Sequence, residues 1–263
     1  MTCLPAELGL LARLLGAETL IGVPNPFQGW MPDEIEAALA KAQQRLFGRG
    51  ILMVEGDQLL INPGVALLLA SCLLAPAVFV QTYTRAGGAP TERYYYANDK
   101  ICAEMNIRRR PDVVCDLSAH RNPVALFQRT IEVFRVAEQA APAAPGGILA
   151  QQALARARAA AVDAGAAEAA VCLIDAGLDG VTATALAQTL AHPIANGSFV
   201  ALRRPDQAWE TEGLSLLEGT NGLWSLRSRV GEHLVEVRPC TGQSAHLALR
   251  AAFNWALPVS LHM

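Results

Sequence analysis

Charge is scarce in this sequence: Asp, Glu, Lys and Arg make up 17% of 263 residues and balance to a net −3. Such a chain offers no broad attraction to phosphate backbones or anionic lipid, so neither nucleic acid nor membrane is an expected partner. The loops that cradle phosphates are missing, both G-x-x-x-x-G-K-[ST] and a G-x-G-x-x-G after a strand-like run. So is the nucleophile elbow G-x-S-x-G. His120, His192, His233, His246 and His262 form neither an HExxH pair nor the Cys/His pairs of a zinc site. These absences predict a non-enzymatic protein with no cofactor and no metal. Glu7 and Arg13 interrupt the early apolar residues, so no secretory leader is read. The six cysteines are scattered, several within apolar runs, which predicts buried thiols in a reducing, cytoplasmic setting.

What is present is apolar mass, 52% of the chain, enough for one large core or two moderate ones. It is arranged as one plan spelled twice. Leu69-Ala70-Ser71-Cys72-Leu73-Leu74-Ala75-Pro76 is echoed by Leu186-Ala187-Gln188-Thr189-Leu190-Ala191-His192-Pro193. Upstream of each stands a Leu-x-x-x-Gly-aliphatic step, Leu46 to Ile51 and Leu173 to Leu178. Closing helices align as well, Leu126 with Leu247, Arg129 with Arg250 and Phe134 with Trp255. The expectation is α+β: two pseudo-symmetric halves, 1–140 and 141–263, each an antiparallel β-meander flanked by helices. The uncharged run Gly64–Val80 nearly reaches bilayer length, but Pro76 divides it into a helix-length and a strand-length piece. Membrane insertion is not expected.

Along the chain, Leu8–Leu15 reads as a helix stopped by Gly16, followed by the loop VPNPFQGWMP. Pro32 with Asp33, Glu34 and Glu36 marks a helix start, which also explains that acidic cluster. ILMVEGDQLLINP reads as a hairpin around Glu55-Gly56-Asp57. Strands are expected at 78–84, 93–97, 100–106 and 112–117, then a helix over 123–137. Residues 137–147 read as a linker. The second copy begins with a helix from Ile148 to about Asp163 and continues through helices ending at Ala176 and Ala191. Its strands are expected near 199–203, 214–217, 223–227 and 233–237, with a closing helix over 244–256.

His120 near Cys115 and Asp116 is the nearest approach to a nucleophilic group, without a visible third orienting residue. Arg108-Arg109-Arg110 reads as a solvated turn or as an anion contact. Trp224 and Trp255 read as core, whereas Trp30 and Trp209 lie in loops. The segment from Arg45 to Pro63 has the outline of a winged helix, with Lys41, Arg45 and Arg49 near one face but Glu55 and Asp57 at the wing tip. A winged-helix regulator or ligand sensor is therefore the alternative functional reading.

Several stretches carry a wider likeness: LLARLLGAE followed by VPNPF, ALAKAQQRLFGRGILM leading into the hairpin, INPGVALLLASCLLAP, and the shorter second copy from Ile148. In these the chain resembles the EspG family of ESX (type VII) secretion-associated chaperones. The resemblance implies a pseudo-two-fold α+β fold and a cytoplasmic task, holding a helical PE–PPE-like secretion substrate soluble. It also implies client contact through a loop between early strands, here Arg85–Glu92 with Gly87 and Gly88, and through helices around Gly177–Ala191. That loop is short and glycine-rich, with little apolar content. The proline-pinned Phe27 and Trp30, rigid aromatics on a loop, are further partner-binding candidates.

Overall fold

The computed structural model describes residues 1–99, 101–109, 111–134, 140–206, 208–229 and 233–257. Arg110, His262 and the expected helix end at 135–137 lie outside them. Among the described residues the chain forms eight helices and twelve strands, antiparallel wherever a register is defined. In order, β1 (Thr2–Cys3), α1 (Pro5–Leu14), α2 (Pro32–Gly48), β2 (Leu52–Glu55), β3 (Gln58–Ile61) and α3 (Pro63–Leu73) open the chain. Then come β4 (Ala77–Arg85), β5 (Thr91–Ala97), β6 (Cys102–Arg108), β7 (Val114–His120) and α4 (Pro123–Phe134). The remainder is β8 (Gly147–Ala150), α5 (Gln151–Asp163), α6 (Ala166–Asp175), α7 (Gly180–Ala191), β9 (Ala195–Arg203), β10 (Glu210–Gly219), β11 (Gly222–Arg229), β12 (Leu234–Cys240) and α8 (Gly242–Ala256). Two helices, four strands and a helix thus occur twice, as α2, α3, β4–β7, α4 and as α6, α7, β9–β12, α8.

Spatially the chain divides into residues 1–78 with 92–126, and residues 79–91 with 127–263. The boundary read from the sequence at 140/141 follows element order along the chain; the compact units follow contact in space. In the first unit the strand order is β1-β7-β6-β5. One face of β5–β7 is apolar and buried, with Tyr96, Ala103, Met105, Ile107, Cys115 and Leu117. The short hairpin β2–β3 forms a separate sheet, turning at Glu55↔Gln58 with Gly56 at φ +60. A glycine with positive φ at the first central position is what a type II′ turn requires.

In the second unit the order is β4-β9-β10-β11-β12-β8. Helices α5, α6 and α7 cover one face of this sheet, packing small residues and Leu173, Leu178 and Leu186 against Leu217, Trp224, Leu226 and Val237. The buried Trp224 indole donates to Thr189 Oγ1 at 3.2 Å, so its N–H is satisfied within the core. Another cluster stacks Phe79 on Phe253 and Phe199, with ring centroids 4.2 and 5.4 Å apart.

The repeated Leu-x-x-x-Gly-aliphatic step has a local explanation. Gly50 N–H donates to Phe47 O at 2.9 Å and Ile51 N–H to Leu46 O at 3.0 Å; Gly177 and Leu178 bond to Ile174 and Leu173 in the same way. Both glycines have positive φ, +66 and +97. This is the Schellman helix stop, and Gly16 with Ala17 closes α1 by the same two bonds. Pro76 and Pro193 stand between a helix and a strand in both copies, as expected. The closing helices correspond less well residue by residue: Leu126 is fully buried, whereas Leu247 is 60% exposed and Leu249 takes the inward place.

Two expectations are corrected. Residues Gly147–Ala150 are not helical but form β8, antiparallel to β12 with Leu149 opposite Val235. The helix starts only at Gln151, because the free edge of β12 offers these residues backbone partners that a helix end would leave unpaired. The segment Thr2–Cys3, with no strand expectation, pairs with Asp116 and Cys115.

Candidate partner-binding surfaces

The aromatic loop is anchored before it reaches Phe27. Leu20 is buried, Tyr96 OH donates to Ile21 O at 2.5 Å, and Gly22 at φ +86 lies where an added Cβ would meet the Tyr94 ring at 2.5 Å. Beyond that anchor, Asn25 Oδ1 accepts from Phe27 N–H at 3.0 Å, and Trp30 N–H donates to Phe27 O at 3.1 Å across Gly29. The turn sets the two rings edge to face, 6.0 Å between centroids. Phe27 is half-buried and faces a groove of about 600 Å³ shared with Leu8, Leu20, Val23, Arg13 and Glu18. Trp30 is 47% exposed. The two candidates therefore differ: Phe27 belongs partly to the fold, and Trp30 is presented to solvent.

Arg85–Gly88 is a turn in which Gly88 N–H donates to Arg85 O at 2.8 Å and Gly87 takes φ +73, as a type II turn requires. Residues 85–90 are exposed and carry no large apolar side chain. Glu92 plays a different part. Its carboxylate accepts from Arg109 Nη2 at 2.5 Å and from Tyr94 OH at 2.7 Å, which binds β5 to the end of β6.

That pairing also answers the arginine cluster. Arg108 bonds Asp116 at 2.6 Å and Arg109 bonds Glu92, so both described arginines serve neighbouring carboxylates. The Arg108 guanidinium holds the Asp116 carboxyl below its ordinary pKa. His120, expected beside Cys115, turns to Glu104 instead, Nε2 to Oε2 at 3.0 Å, and Arg93 pairs with the same carboxylate. Sequence reasoning overlooked Glu104, because alternation alone does not reveal a buried acid's cross-strand neighbours. Burial and nearby acidic groups push the Cys115 thiol up to about 11, so no nucleophile is activated there. No cluster of metal-ligating side chains occurs among the described residues. No described helix is long and apolar enough to cross a membrane.

The segment read as a winged-helix outline contains the end of α2 and the hairpin β2–β3. Of its three basic residues, Arg49 is tied to Glu7 at 2.8 Å and to Thr2 O at 2.6 Å, while Lys41 and Arg45 are exposed on α2, whose first turn carries Asp33 and Glu34. Of the loop tryptophans, Trp209 is stacked under Arg204; Trp255 on α8 is only half-buried and lies 4.3 Å beneath the Arg203 guanidinium.

Exposed apolar residues also lie on α6 and α7. Val171 and Ile174 point outward from α6, 50% and 48% exposed, and Val181 opens α7 at 60%. Gly177, Gly180 and Thr184 add small exposed neighbours, and Glu168, Asp175 and Asp179 supply acidic ones. Val181 falls within the expected stretch 177–191; Val171 and Ile174 precede it. The available signal was that α6 is apolar around most of its circumference, which one buried stripe through Ala169 and Leu173 does not require.

EspG5 of Mycobacterium tuberculosis, the type VII secretion system chaperone whose structure contains the PE25–PPE41 dimer, superposes on this chain with a TM-score of 0.64. The match covers 97% of this chain and 95% of EspG5 at 16% identity. The fold is EspG-like. Mycobacterium tuberculosis HtdX matches at a TM-score of only 0.17, too low to bear on the fold. No protein-family model matches the sequence, and no curated protein matches it. At 16% identity EspG5 speaks for the architecture, while the surfaces above belong to this chain's own residues.

Proposed function

We propose that this protein is a type VII secretion-associated chaperone that binds a helical, PE–PPE-like client without catalysing a reaction on it. The observation that carries the reading is the end-to-end EspG-like fold. The outward apolar residues of α6 and α7 support it, since a client helix needs an exposed apolar patch with polar surroundings. Trp30 and the Arg85–Gly88 turn are candidate secondary contacts. A cytoplasmic location is part of the proposal, supported by six unpaired cysteines that include cross-strand neighbours Cys3 and Cys115.

Co-expression with PE–PPE pairs encoded beside this gene tests the reading. The expected result is one soluble complex of chaperone and pair on size exclusion, with the pair insoluble when expressed alone. Elution of this chain by itself, with every pair equally soluble in its absence, would overturn it.

A further inference from the structure

The second unit holds a cavity that the proposed client-binding role does not use. It has a volume of about 400 Å³ and lies where α5 and the end of α7 leave the faces of β4, β9 and β10 uncovered. Its floor is a row of hydroxyls. Ser198 on β9 is the register partner of Ser215 on β10, and Thr82 Oγ1 on β4 lies 2.8 Å from Ser198 Oγ. Cross-strand partners point to the same side of a sheet, so all three hydroxyls address one space. Asn196, two residues before Ser198, extends the row.

Arg158 of α5 reaches the same cavity and is the one charged side chain among its described lining residues. Arg108, Arg109, Arg203 and Arg227 all have carboxylate partners. Arg158, exposed on α5, has neither a carboxylate nor a hydrogen-bond partner among the described residues, and partial desolvation lowers its pKa from the ordinary value. Ser215 Oγ and Asn196 likewise make no side-chain hydrogen bond to described residues. In the Thr82–Ser198 pair one hydroxyl donates to the other, and the second hydrogen remains available. A planar five-donor cation lining the same cavity as a row of hydroxyl and amide groups, with no acid among the described lining residues, is the donor set that recognises an oxyanion. The exposed Val162 at the rim adds an apolar edge beside the charged end.

We propose that this cavity binds a compact oxyanion, with Arg158 as the charge partner and Ser198, Ser215, Thr82 and Asn196 completing its hydrogen bonds. The oxyanion is either a free small molecule or the carboxylate of an acidic side chain on a bound protein. The site does not depend on the chaperone reading: it stands if no PE–PPE pair binds.

Titration of the ¹⁵N-labelled full chain with inorganic phosphate and, separately, with an aspartate residue blocked at both ends, at constant ionic strength in chloride, tests this. The expected result is a saturable shift of the amides of residues 82, 158, 196–198 and 215 with at least one probe. Arg158→Gln should weaken binding by about tenfold or more, and Arg158→Lys by less, since the charge remains. Arg156→Gln, on the same helix but outside the cavity, should bind as the parent does. Saturation by phosphate alone identifies a free anion as the natural occupant, and saturation by the blocked aspartate identifies a protein carboxylate. The proposal is overturned if neither probe saturates, or if Arg158→Gln responds as the parent does. Circular dichroism of Arg158→Gln guards against unfolding; if it fails to fold, Arg158→Lys and Ser215→Ala carry the comparison.

Discussion

Phe27 and Trp30 lie three residues apart and touch edge to face, yet they make different contributions. Phe27 is half-buried over a groove floored by Leu8 and Leu20, so its removal leaves unfilled apolar space. Phe27→Ala should cost about 2 kcal/mol, less than a fully buried Phe because the groove is open to water. Trp30→Ala loses mainly the edge contact and should cost under about 1 kcal/mol. Urea denaturation of the two variants reads the difference. Equal large losses would show Trp30 to be part of the packed core and remove it from the candidate contacts. The loop's prolines and aromatics were legible as a presented turn. What the sequence did not show is that Phe27 lies in a groove with Leu8 and Leu20 while Trp30 stays outside it.

At the scale of elements, α6 and α7 are the informative pair. Their buried residues Ala169, Leu173, Thr182, Ala183 and Leu186 hold them to the sheet of the second unit, so Val171 and Val181 are not needed for packing. Val171→Asp with Val181→Asp should leave stability within about 1 kcal/mol, as exposed substitutions do. The same pair should abolish co-elution with a helical client, because two carboxylates would be desolvated against an apolar surface. Thermal melting and size exclusion measure the two effects. Undiminished client binding would move the docking surface elsewhere. The helix stops, by contrast, explain much of the apparent repeat: Leu-x-x-x-Gly-aliphatic describes how a helix ends, and it recurs at α1 outside the two copies with Ala in the leading position. The proline that separates helix from strand, and the repeated order of elements, are the stronger part of the likeness.

Across the whole molecule, the thiols report on burial. Cys3, Cys115 and Cys240 are pushed up to about 11 and Cys72 to about 12, in each case chiefly by desolvation. Native protein at pH 8 should therefore leave these four unreactive toward a thiol reagent, and Cys172, half-exposed on α6, should label first. Unfolding should expose all six. Because these folded-state values lie above the ordinary 9.0, the unfolded chain releases protons first as pH rises. Stability should thus be insensitive to these groups below about pH 8 and fall from about pH 9 to 12. Rapid labelling of all six in the native state would contradict the buried placement.

Local chemistry in the sequence was sufficient to determine the helix stops at glycine, the hairpin turn at Gly56, the division at Pro76 and Pro193, and the α+β order. Each depends on backbone freedom or side-chain periodicity within a few residues. Tertiary structure alone decided the rest. β1 and β8 are strands because a sheet edge offered them hydrogen bonds, and Glu104 is held between Arg93 and His120 because three strands align those positions. The cavity at Arg158 exists because α5 approaches hydroxyls contributed by three separate strands. Such features depend on which distant residues become neighbours, and pairing across a sheet carries no periodic mark within either strand that reveals its partner.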